Sequence, residues 1–273
     1  MNDELLKVVD GKLFYGVDDG IMPVNETKDT ITKIPTYSGN FNPQIKGINN
    51  GRTWHRPFNI DVHGFELIFH KTQVEDFLDI EELKTKYYDE IENLIKYHIH
   101  AKKVHIFDHT VRLGDEAKRK KMLLREPVQR VHNDYTDWSG PERLRNLFPK
   151  DAESLLSRRF CIIQVWRPIQ DILERDPLAL CDARSVVDSD LIIAERRYPD
   201  RVGQTYQVKY NENHEWFYFP KMTRDEAIIF KVYDSETDGR ARFTPHTSFE
   251  DPTTPKNSLP RESIEVRGLV FFD

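Results

Sequence analysis

The feature that most constrains the fold is a succession of short β-rich segments that begins at Val104. Each segment is rich in β-branched and aromatic residues, and turn-forming residues separate most of them. The segments cover residues 104–107, 128–131, 160–166, 205–210, 216–219, 227–232 and 264–272. Many short strands with turns between them are typical of a β-sandwich or a β-barrel.

Helical patterns flank these strands. Between residues 73 and 98, apolar residues recur at three- and four-residue spacing, which predicts a helix after a short strand over 64–70. The sequence SGPE from Ser139 resembles a capping box and predicts a second helix. Residues 1–60 carry so many turn signals that we expect an irregular N-terminal arm. We predict a mainly β chain with flanking helices (α+β), a jelly-roll or cupin-like barrel in which residues 1–273 form a single domain.

Composition narrows the class of protein. Of the 273 residues, 38% are hydrophobic, which is enough for a substantial core. The net charge of -6 does not indicate a nucleic-acid-binding protein, and no apolar run approaches the ~18 residues of a transmembrane helix. The N-terminus does not have the pattern of a signal peptide. Cys161 and Cys181 are the only cysteines, which favours a reducing, cytoplasmic setting.

The motif that points to chemistry is His132-Asn133-Asp134, together with His246 much later in the chain. Positions i and i+2 of a strand project to the same face, so His132 and Asp134 should point into one space while Asn133 faces away. We expect His246 to supply a third ligand from a strand across the barrel. Two imidazoles and one carboxylate form the facial triad that binds non-haem Fe(II) and leaves positions open for substrate and O₂. The alternative is a chance His-x-Asp in a chain with 10 histidines.

A second polar pattern lies near the end of the sequence. If this segment is a strand, one face carries Arg261, Ser263, Glu265 and Arg267. A polar face inside a barrel is costly unless it binds something, and an arginine fork beside a hydroxyl matches a carboxylate. Arg261 and Ser263 are therefore candidates for holding the distal carboxylate of 2-oxoglutarate, and Arg267 is the alternative clamp. A solvated edge strand would show the same alternation.

Candidate substrate-binding residues are polar or aromatic side chains near predicted strands. They are Arg112, Trp166, Arg167, Asp234, Arg240, Arg242 and Arg267. Arginines at a barrel mouth would suit an acidic or amino-acid-like substrate. Ordinary ion pairs are the alternative for these residues, and the abundant aromatic residues leave a large apolar substrate open.

Six sequence strings, taken together, resemble a known family. They are IFDHTVR (106–112), VHND (131–134), VWRP (165–168), PLALCDARS (177–185), GRARFTPHT (239–247) and PRESIEVR (260–267). The set resembles the AsaB hydroxylase/desaturase family, which is related to fungal gibberellin desaturase and the cephamycin 7α-methoxylase subunit. The resemblance runs from about residue 64 to the end of the sequence.

The resemblance implies a double-stranded β-helix fold and dependence on Fe(II), 2-oxoglutarate and O₂. It implies a metal role for His132, Asp134 and His246, and a 2-oxoglutarate role for Arg261 and Ser263. The implied reaction is hydroxylation, desaturation or oxidative cyclisation of a small-molecule substrate from secondary metabolism. Three alternatives stay open: an iron oxygenase that does not use 2-oxoglutarate, a partner subunit of a two-component oxidation system, and a cupin-like binding module. The oligomeric state also stays open, and a homodimer is one alternative.

Overall fold

Two sheets make up most of the structure, which is a computed structural model that describes residues 7–27, 36–122, 124–199 and 201–273. Their strands are β1 (Val8–Gly16), β2 (Val24–Glu26), β3 (Thr36–Ser38), β4 (Phe41–Asn50), β5 (Phe65–Phe69), β6 (Lys103–Leu113), β7 (His132–Asn133), β8 (Phe160–Pro168), β9 (Leu178–Cys181), β10 (Leu191–Arg197), β11 (Val202–Val208), β12 (Trp216–Tyr218), β13 (Glu226–Asp234), β14 (His246–Ser248) and β15 (Glu262–Phe271). The large sheet has the order β1-β4-β12-β9-β14-β7-β11-β10-β2-β3, and the small sheet has the order β5-β13-β8-β15-β6.

The inner faces of the two sheets share one core. Strand β8, which is buried along its whole length, projects Ile162 and Trp166 between the sheets. There they belong to the same apolar cluster as Leu180 of β9 and Phe217 of β12. Two sheets packed face to face over a shared core form a jelly-roll sandwich. The predicted mainly β architecture with flanking helices is confirmed.

Helices cover the outer face of the small sheet and one end of the core. They are α1 (Ile80–Glu82), which continues through a π-helical stretch (Leu83–Tyr87) into α2 (Tyr88–Ile99), and then α3 (Glu116–Met122), α4 (Ser139–Leu147) and α5 (Ala152–Leu156). Ile91 of α2 packs in one cluster with Ile163 and Val165, the outward-facing residues of β8. The helical segment starts later than predicted, because Asp79 accepts a hydrogen bond from Glu81 N at 2.9 Å and caps it. Among the described helices, none has the length and apolar character needed to cross a membrane.

The N-terminal segment is more regular than predicted. We expected residues 1–60 to be irregular, but β1 and β4 pair antiparallel over the 9 residues of β1, and β2 and β3 lie at the opposite edge of the large sheet. Residues 1–6 and 28–35 lie outside the described ranges. The Asp10-Gly11 turn signal misled the prediction, because Gly11 lies within β1. A Cβ on Gly11 would lie only 2.4 Å from Ile48 Cδ1, so glycine there permits close packing and does not mark a turn.

The short strands around the candidate ligands were harder to predict. The segment 128–131 is not a strand, although Ser248 N donates to Val128 O at 2.7 Å and Val131 N donates to Phe14 O at 3.0 Å. Strands β9 and β10 were not predicted, and for β14 we expected His246 to lie on a strand but did not predict its bounds. Strand β14 spans only 3 residues and follows Pro245. A strand of this length is too short for its alternation of side chains to be recognised in the sequence.

Candidate metal centre and adjoining cleft

His132 and His246 form a cross-strand pair. Strands β7 and β14 are antiparallel neighbours in the large sheet, and their register places the two histidines opposite each other. The ring centroids lie 4.4 Å apart. Our expectation that His246 would come from across the barrel was wrong. Directly opposed residues on adjacent strands have Cβ atoms only about 5 Å apart, which is close enough for two imidazoles to share one metal.

Backbone carbonyls determine which nitrogen of each imidazole is available. Nδ1 of His132 lies 2.8 Å from Arg130 O, and Nδ1 of His246 lies 2.9 Å from Thr244 O. A carbonyl oxygen can only accept a hydrogen bond, so Nδ1 carries the proton in each neutral ring and Nε2 presents its lone pair. Metal-binding histidines are commonly oriented by this kind of hydrogen bond.

Asp134 completes the cluster. Its Oδ1 lies 3.4 Å from His132 Nε2, and one potential ligand atom from each of the three residues lies within 4.8 Å of the others. The other oxygen, Oδ2, accepts hydrogen bonds from Gln164 Nε2 at 2.6 Å and from Arg267 Nε at 3.0 Å. Asn133 points elsewhere, with its amide nitrogen 2.9 Å from Val232 O. The structure therefore brings together the three residues that the sequence singled out.

The electrostatics of this cluster favour a bound cation. Burial lowers the pKa of His246 to about 4, so this imidazole is neutral at ordinary pH. Burial alone would raise the pKa of Asp134, but the charge of Arg267 lowers it well below its ordinary value. A neutral imidazole and an ionised carboxylate can bind a metal without first releasing a proton. Two nitrogens and one carboxylate oxygen are a donor set that suits Fe(II).

Strand β15 carries the predicted polar face into the interior, where most of its charges pair with one another. Arg267 lies 2.9 Å from Asp134 Oδ2, 2.6 Å from Glu265 Oε1 and 3.2 Å from Asp108 Oδ2. Glu265 also accepts two hydrogen bonds from Arg112, at 2.7 Å and 3.2 Å. Burial would raise the pKa of Glu265, but Arg112 and Arg267 hold it far below its ordinary value. Both guanidinium groups are thus already occupied by partners within the protein.

Arg261 differs from its neighbours on this face because it has no carboxylate partner. It is 2% exposed, and it donates from Nε to Ser263 Oγ and from Nη1 to Asp176 O, both at 2.9 Å. Among the described residues, no carboxylate oxygen lies within 4.0 Å of its guanidinium. Burial lowers the pKa of Arg261 to about 10, so the group is still charged at neutral pH. A buried cation of this kind is stabilised by an anionic ligand.

Trp166 lies beside Arg261. The guanidinium carbon is 5.1 Å from the centroid of the indole ring, so the ring supports the arginine from one side. The indole Nε1 is buried and has no hydrogen-bond partner in the described part of the chain. The structure therefore places this predicted substrate residue next to the candidate co-substrate clamp.

Two further predicted substrate residues lie away from the metal centre. Arg167 is on the outer face of β8, where its Nη2 is 2.7 Å from His70 Nδ1. Asp234 is fully buried, and its Oδ2 lies 2.8 Å from Lys231 Nζ and 2.9 Å from Arg159 Nη2. These contacts within the protein explain the positions of Arg167 and Asp234, and neither residue requires a bound substrate.

Arg240 and Arg242 also have partners within the protein. Arg240 Nη2 lies 2.6 Å from Asp238 Oδ2, and Arg242 Nη2 lies 2.6 Å from Asp137 Oδ1. Neither arginine lines the cleft beside the metal centre. Both side chains instead pair with carboxylates, which was the alternative for these residues.

A cleft of about 1190 Å³, counted out to open solvent, adjoins the metal centre. Its lining includes His132, Asp134, Arg112 and Arg267, and most of the rest comes from β10, β11, α4 and the segment 125–130. The sequence does not indicate this second group, because these elements are distant in sequence and share no motif.

Gln164 is a site residue that the sequence analysis missed although a signal was present. It stands on the same face of β8 as Ile162 and Trp166, so an amide occurs among apolar side chains. A buried polar side chain in such a strand needs a partner, and here the partner is the carboxylate of Asp134. Gln207 is a second buried amide that was missed; it lies on β11, is 4% exposed and is opposite His132 in the register.

Comparison with known proteins places these features in a family. Residues 13–271 match a family model described as "Oxidoreductase/YMDC permease-like domain". The alpha-ketoglutarate-dependent dioxygenase phiK of a fungal species is 36% identical over 241 residues, which cover 86% of this chain and 87% of that protein. The hydroxylase/desaturase asaB of Aspergillus flavus is 43% identical over 143 residues, which cover 47% of this chain and 62% of that protein.

A solved structure agrees with the whole fold. The iron and alpha-ketoglutarate-dependent endoperoxidase NvfI superposes with a TM-score of 0.87 at 26% identity, covering 97% of this chain and 98% of that chain. The chain belongs to the family of hydroxylase/desaturase enzymes that includes asaB, within the Fe(II)/2-oxoglutarate-dependent dioxygenases. It is therefore an oxidoreductase of the non-haem iron class, and the expected jelly-roll fold and family are confirmed.

Proposed function

We propose that His132, Asp134 and His246 bind the Fe(II) of a 2-oxoglutarate-dependent oxygenase that acts on a small molecule. The observation that carries this assignment is the convergence of two Nε2 lone pairs and one ionised carboxylate oxygen within 4.8 Å. Three protein ligands leave coordination positions open, which distinguishes such a centre from a closed structural metal site. When bound, iron with 2-oxoglutarate and O₂ supplies the oxidising power for hydroxylation, desaturation or ring closure.

We further propose that Arg261 and Ser263 hold the distal carboxylate of 2-oxoglutarate. Arg261 uses Nε and Nη1 within the protein, which leaves Nη2 available. The Ser263 hydroxyl accepts from Arg261 Nε and so keeps its own proton to donate. An arginine nitrogen beside a hydroxyl matches a carboxylate, and the unpartnered Nε1 of Trp166 offers another donor nearby.

Arg267 is the less favoured clamp. All its close contacts are with Asp134, Glu265, Asp108 and the hydroxyl of Thr110. If Arg267 bound a ligand instead, the negative charge of the buried Glu265 would be less well compensated, which is energetically costly. Its position supports a role in orienting Asp134.

An anaerobic titration of the purified apo-protein tests both assignments. We expect one Fe(II) per chain, followed by a weak visible charge-transfer band when 2-oxoglutarate is added, because a keto acid that chelates Fe(II) requires open positions. The band should be absent in His246→Ala and present in His55→Ala, whose side chain is exposed and far from the site in sequence. Admission of O₂ should then give succinate.

The other outcomes separate the rival functions. Iron binding without the band or succinate would favour an oxygenase whose substrate is its own chelator. Absence of iron binding would overturn the assignment and favour a partner subunit or a binding module.

We also infer that the chain acts as one domain in a reducing compartment. The N-terminal residues Val9 and Ile48 share an apolar cluster with Trp216 of the large sheet, which supports a single folding unit. Cys161 and Cys181 are free and buried, and burial raises the pKa of both thiols. Buried thiols with raised pKa values are unreactive, so neither cysteine indicates disulfide formation or catalysis.

A further inference from the structure

Five arginines line the cleft beside the metal centre and have no carboxylate partner among the residues that the structure describes. They are Arg125, Arg130, Arg143, Arg196 and Arg201. Across the described ranges, no carboxylate oxygen comes within 4.0 Å of any of these guanidinium groups. The protein as a whole carries a net charge of -6, so a positive cleft is a local feature and does not reflect the composition.

The carboxylates that do line the cleft have other partners. Asp108 and Asp134 both pair with Arg267, and the nearest cation to Glu142 is Arg145, at 3.8 Å. Two other arginines of the cleft, Arg112 and Arg267, are paired with Glu265. No carboxylate that lines the cleft therefore pairs with any of the five arginines.

Aromatic rings hold four of the five arginines in place. The guanidinium of Arg130 lies 4.3 Å from the centroid of Tyr37, and that of Arg143 lies 4.7 Å from Phe107. Arg196 and Arg201 lie 5.3 Å and 4.4 Å from the ring of Tyr198. Stacking fixes the plane of a guanidinium and leaves its N–H edge free, as recognition of an oxyanion requires.

Other buried polar atoms in the same cleft also have no hydrogen-bond partner among the described residues. These atoms are Asn25 Oδ1, Tyr37 Oη, Arg196 Nε, Gln207 Nε2 and Gln207 Oε1. Gln207 is only 4% exposed. Buried polar groups are normally satisfied, so this concentration points to a polar ligand that completes the cleft.

The arginines are also close enough to destabilise one another. Burial lowers the pKa of Arg125, and the charges of Arg196 and Arg112 lower it further. Like charges held together without counter-ions cost free energy, which a bound anion would recover.

We propose that this cleft selects a substrate that carries two or more oxyanion groups, and that Arg125, Arg130 and Arg196 bind them. The proposal rests on the function proposed above, because it assigns the substrate class of the same site. The guanidinium fork matches both carboxylate and phosphate, so the shared chemistry is a polyanionic small molecule. Binding the anions here would place the uncharged part of the substrate beside His132 and Asp134, which line the same cleft.

Calorimetric titration of the metal-free protein tests this proposal independently of iron. The probes are propane-1,2,3-tricarboxylate, its uncharged triamide, and inorganic pyrophosphate. We expect the tricarboxylate or pyrophosphate to bind with an affinity that falls as salt is added, and the triamide not to bind. Arg125→Gln, Arg130→Gln and Arg196→Gln should each weaken binding by about tenfold or more, as loss of a charged hydrogen bond predicts.

Two control variants show where on the protein the anions bind. Arg145→Gln should bind as the wild type does, because Arg145 is half exposed on α4 and pairs with Glu153 at 3.1 Å, outside the cleft. Arg261→Ala should also retain binding, which excludes the co-substrate clamp as the anion site. If the tricarboxylate binds more tightly, carboxylate is the preferred group. If pyrophosphate binds more tightly, phosphate is the preferred group. Either result supports the proposal.

The proposal is overturned if neither anion binds, if the triamide binds equally well, or if binding is lost only in Arg261→Ala. A protein that binds the anions but not Fe(II) would retain this proposal and refute the metal assignment. Circular dichroism and thermal unfolding of each variant establish that the substitutions leave the fold intact.

Discussion

Arg267 orients the candidate metal ligand Asp134. Its Nη2 lies 2.9 Å and its Nε 3.0 Å from Asp134 Oδ2, while Oδ1 of the same carboxylate lies 3.4 Å from His132 Nε2. Gln164 donates to the same Oδ2 at 2.6 Å. One oxygen is thus held by the protein, and the other is left facing the imidazoles.

Replacing Arg267 should weaken metal binding. In Arg267→Met the carboxylate of Asp134 loses its charged partner, and loss of such a supporting contact typically costs about 10- to 100-fold in metal affinity. Titration with Fe(II) or Co(II) would measure the change. Arg145→Met serves as the control. Unchanged metal affinity, with only the KM for 2-oxoglutarate raised, would contradict this role and identify Arg267 as the clamp.

Removing any one of the three candidate ligands should abolish iron binding and activity. His132→Ala, Asp134→Ala and His246→Ala each leave two ligands, which is too few to hold the metal in a facial site. Iron content after anaerobic reconstitution, measured against His55→Ala, is the test. Wild-type iron content in any of the three variants would remove that residue from the ligand set.

Arg261→Ala should raise the KM for 2-oxoglutarate by about tenfold or more, because it removes a charged hydrogen-bond donor from the proposed carboxylate site. Metal affinity should change little, since Arg261 does not contact the three ligands. Succinate formation at varied 2-oxoglutarate would give the value. An unchanged KM in this variant would refute Arg261 as the clamp.

The stability of the apo-protein should fall as the pH decreases. His214 is 3% exposed, and burial lowers its pKa below 6.5 although Asp190, 3.1 Å away, acts in the opposite direction. The unfolded chain binds the proton more readily, so the stabilisation is complete above about pH 6.5 and is lost as the pH falls below it.

Urea unfolding between about pH 7 and about pH 5 measures this dependence. The free energy of unfolding should decrease less steeply in His214→Gln than in the wild type, and His55→Gln should match the wild type because its side chain is exposed. Parallel curves for the wild type and His214→Gln would show that this histidine does not contribute to the pH dependence of stability.

Gly11→Ala should destabilise the protein by about 1–3 kcal/mol, the usual cost of overpacking. The added Cβ would lie 2.4 Å from Ile48 Cδ1 and 2.8 Å from Phe249 Cδ2. In the control, Gly203→Ala, the nearest atom is Arg196 O at 3.9 Å, so little change is expected. Equal unfolding free energies for the two variants would argue against the tight pairing of β1 with β4.

The sequence by itself determined which side chains share one face of a single strand. The alternation of side chains placed Ser263, Glu265 and Arg267 on one face, and the spacing of His132 and Asp134 put both on one side with Asn133 turned away. These predictions succeeded because the two-residue period of a strand is a local property of the backbone.

Only the tertiary structure decided how the strands were arranged and which charges remained unpaired. Nothing near His246 indicates that β14 pairs with β7, and nothing near Arg261 or Arg267 indicates which of them has carboxylate partners. The arginines of the cleft come from separate segments, and their sequence contexts resemble those of ordinary surface arginines. Strand pairing and ion pairing depend on contacts between residues far apart in the chain, and a local pattern does not specify those contacts.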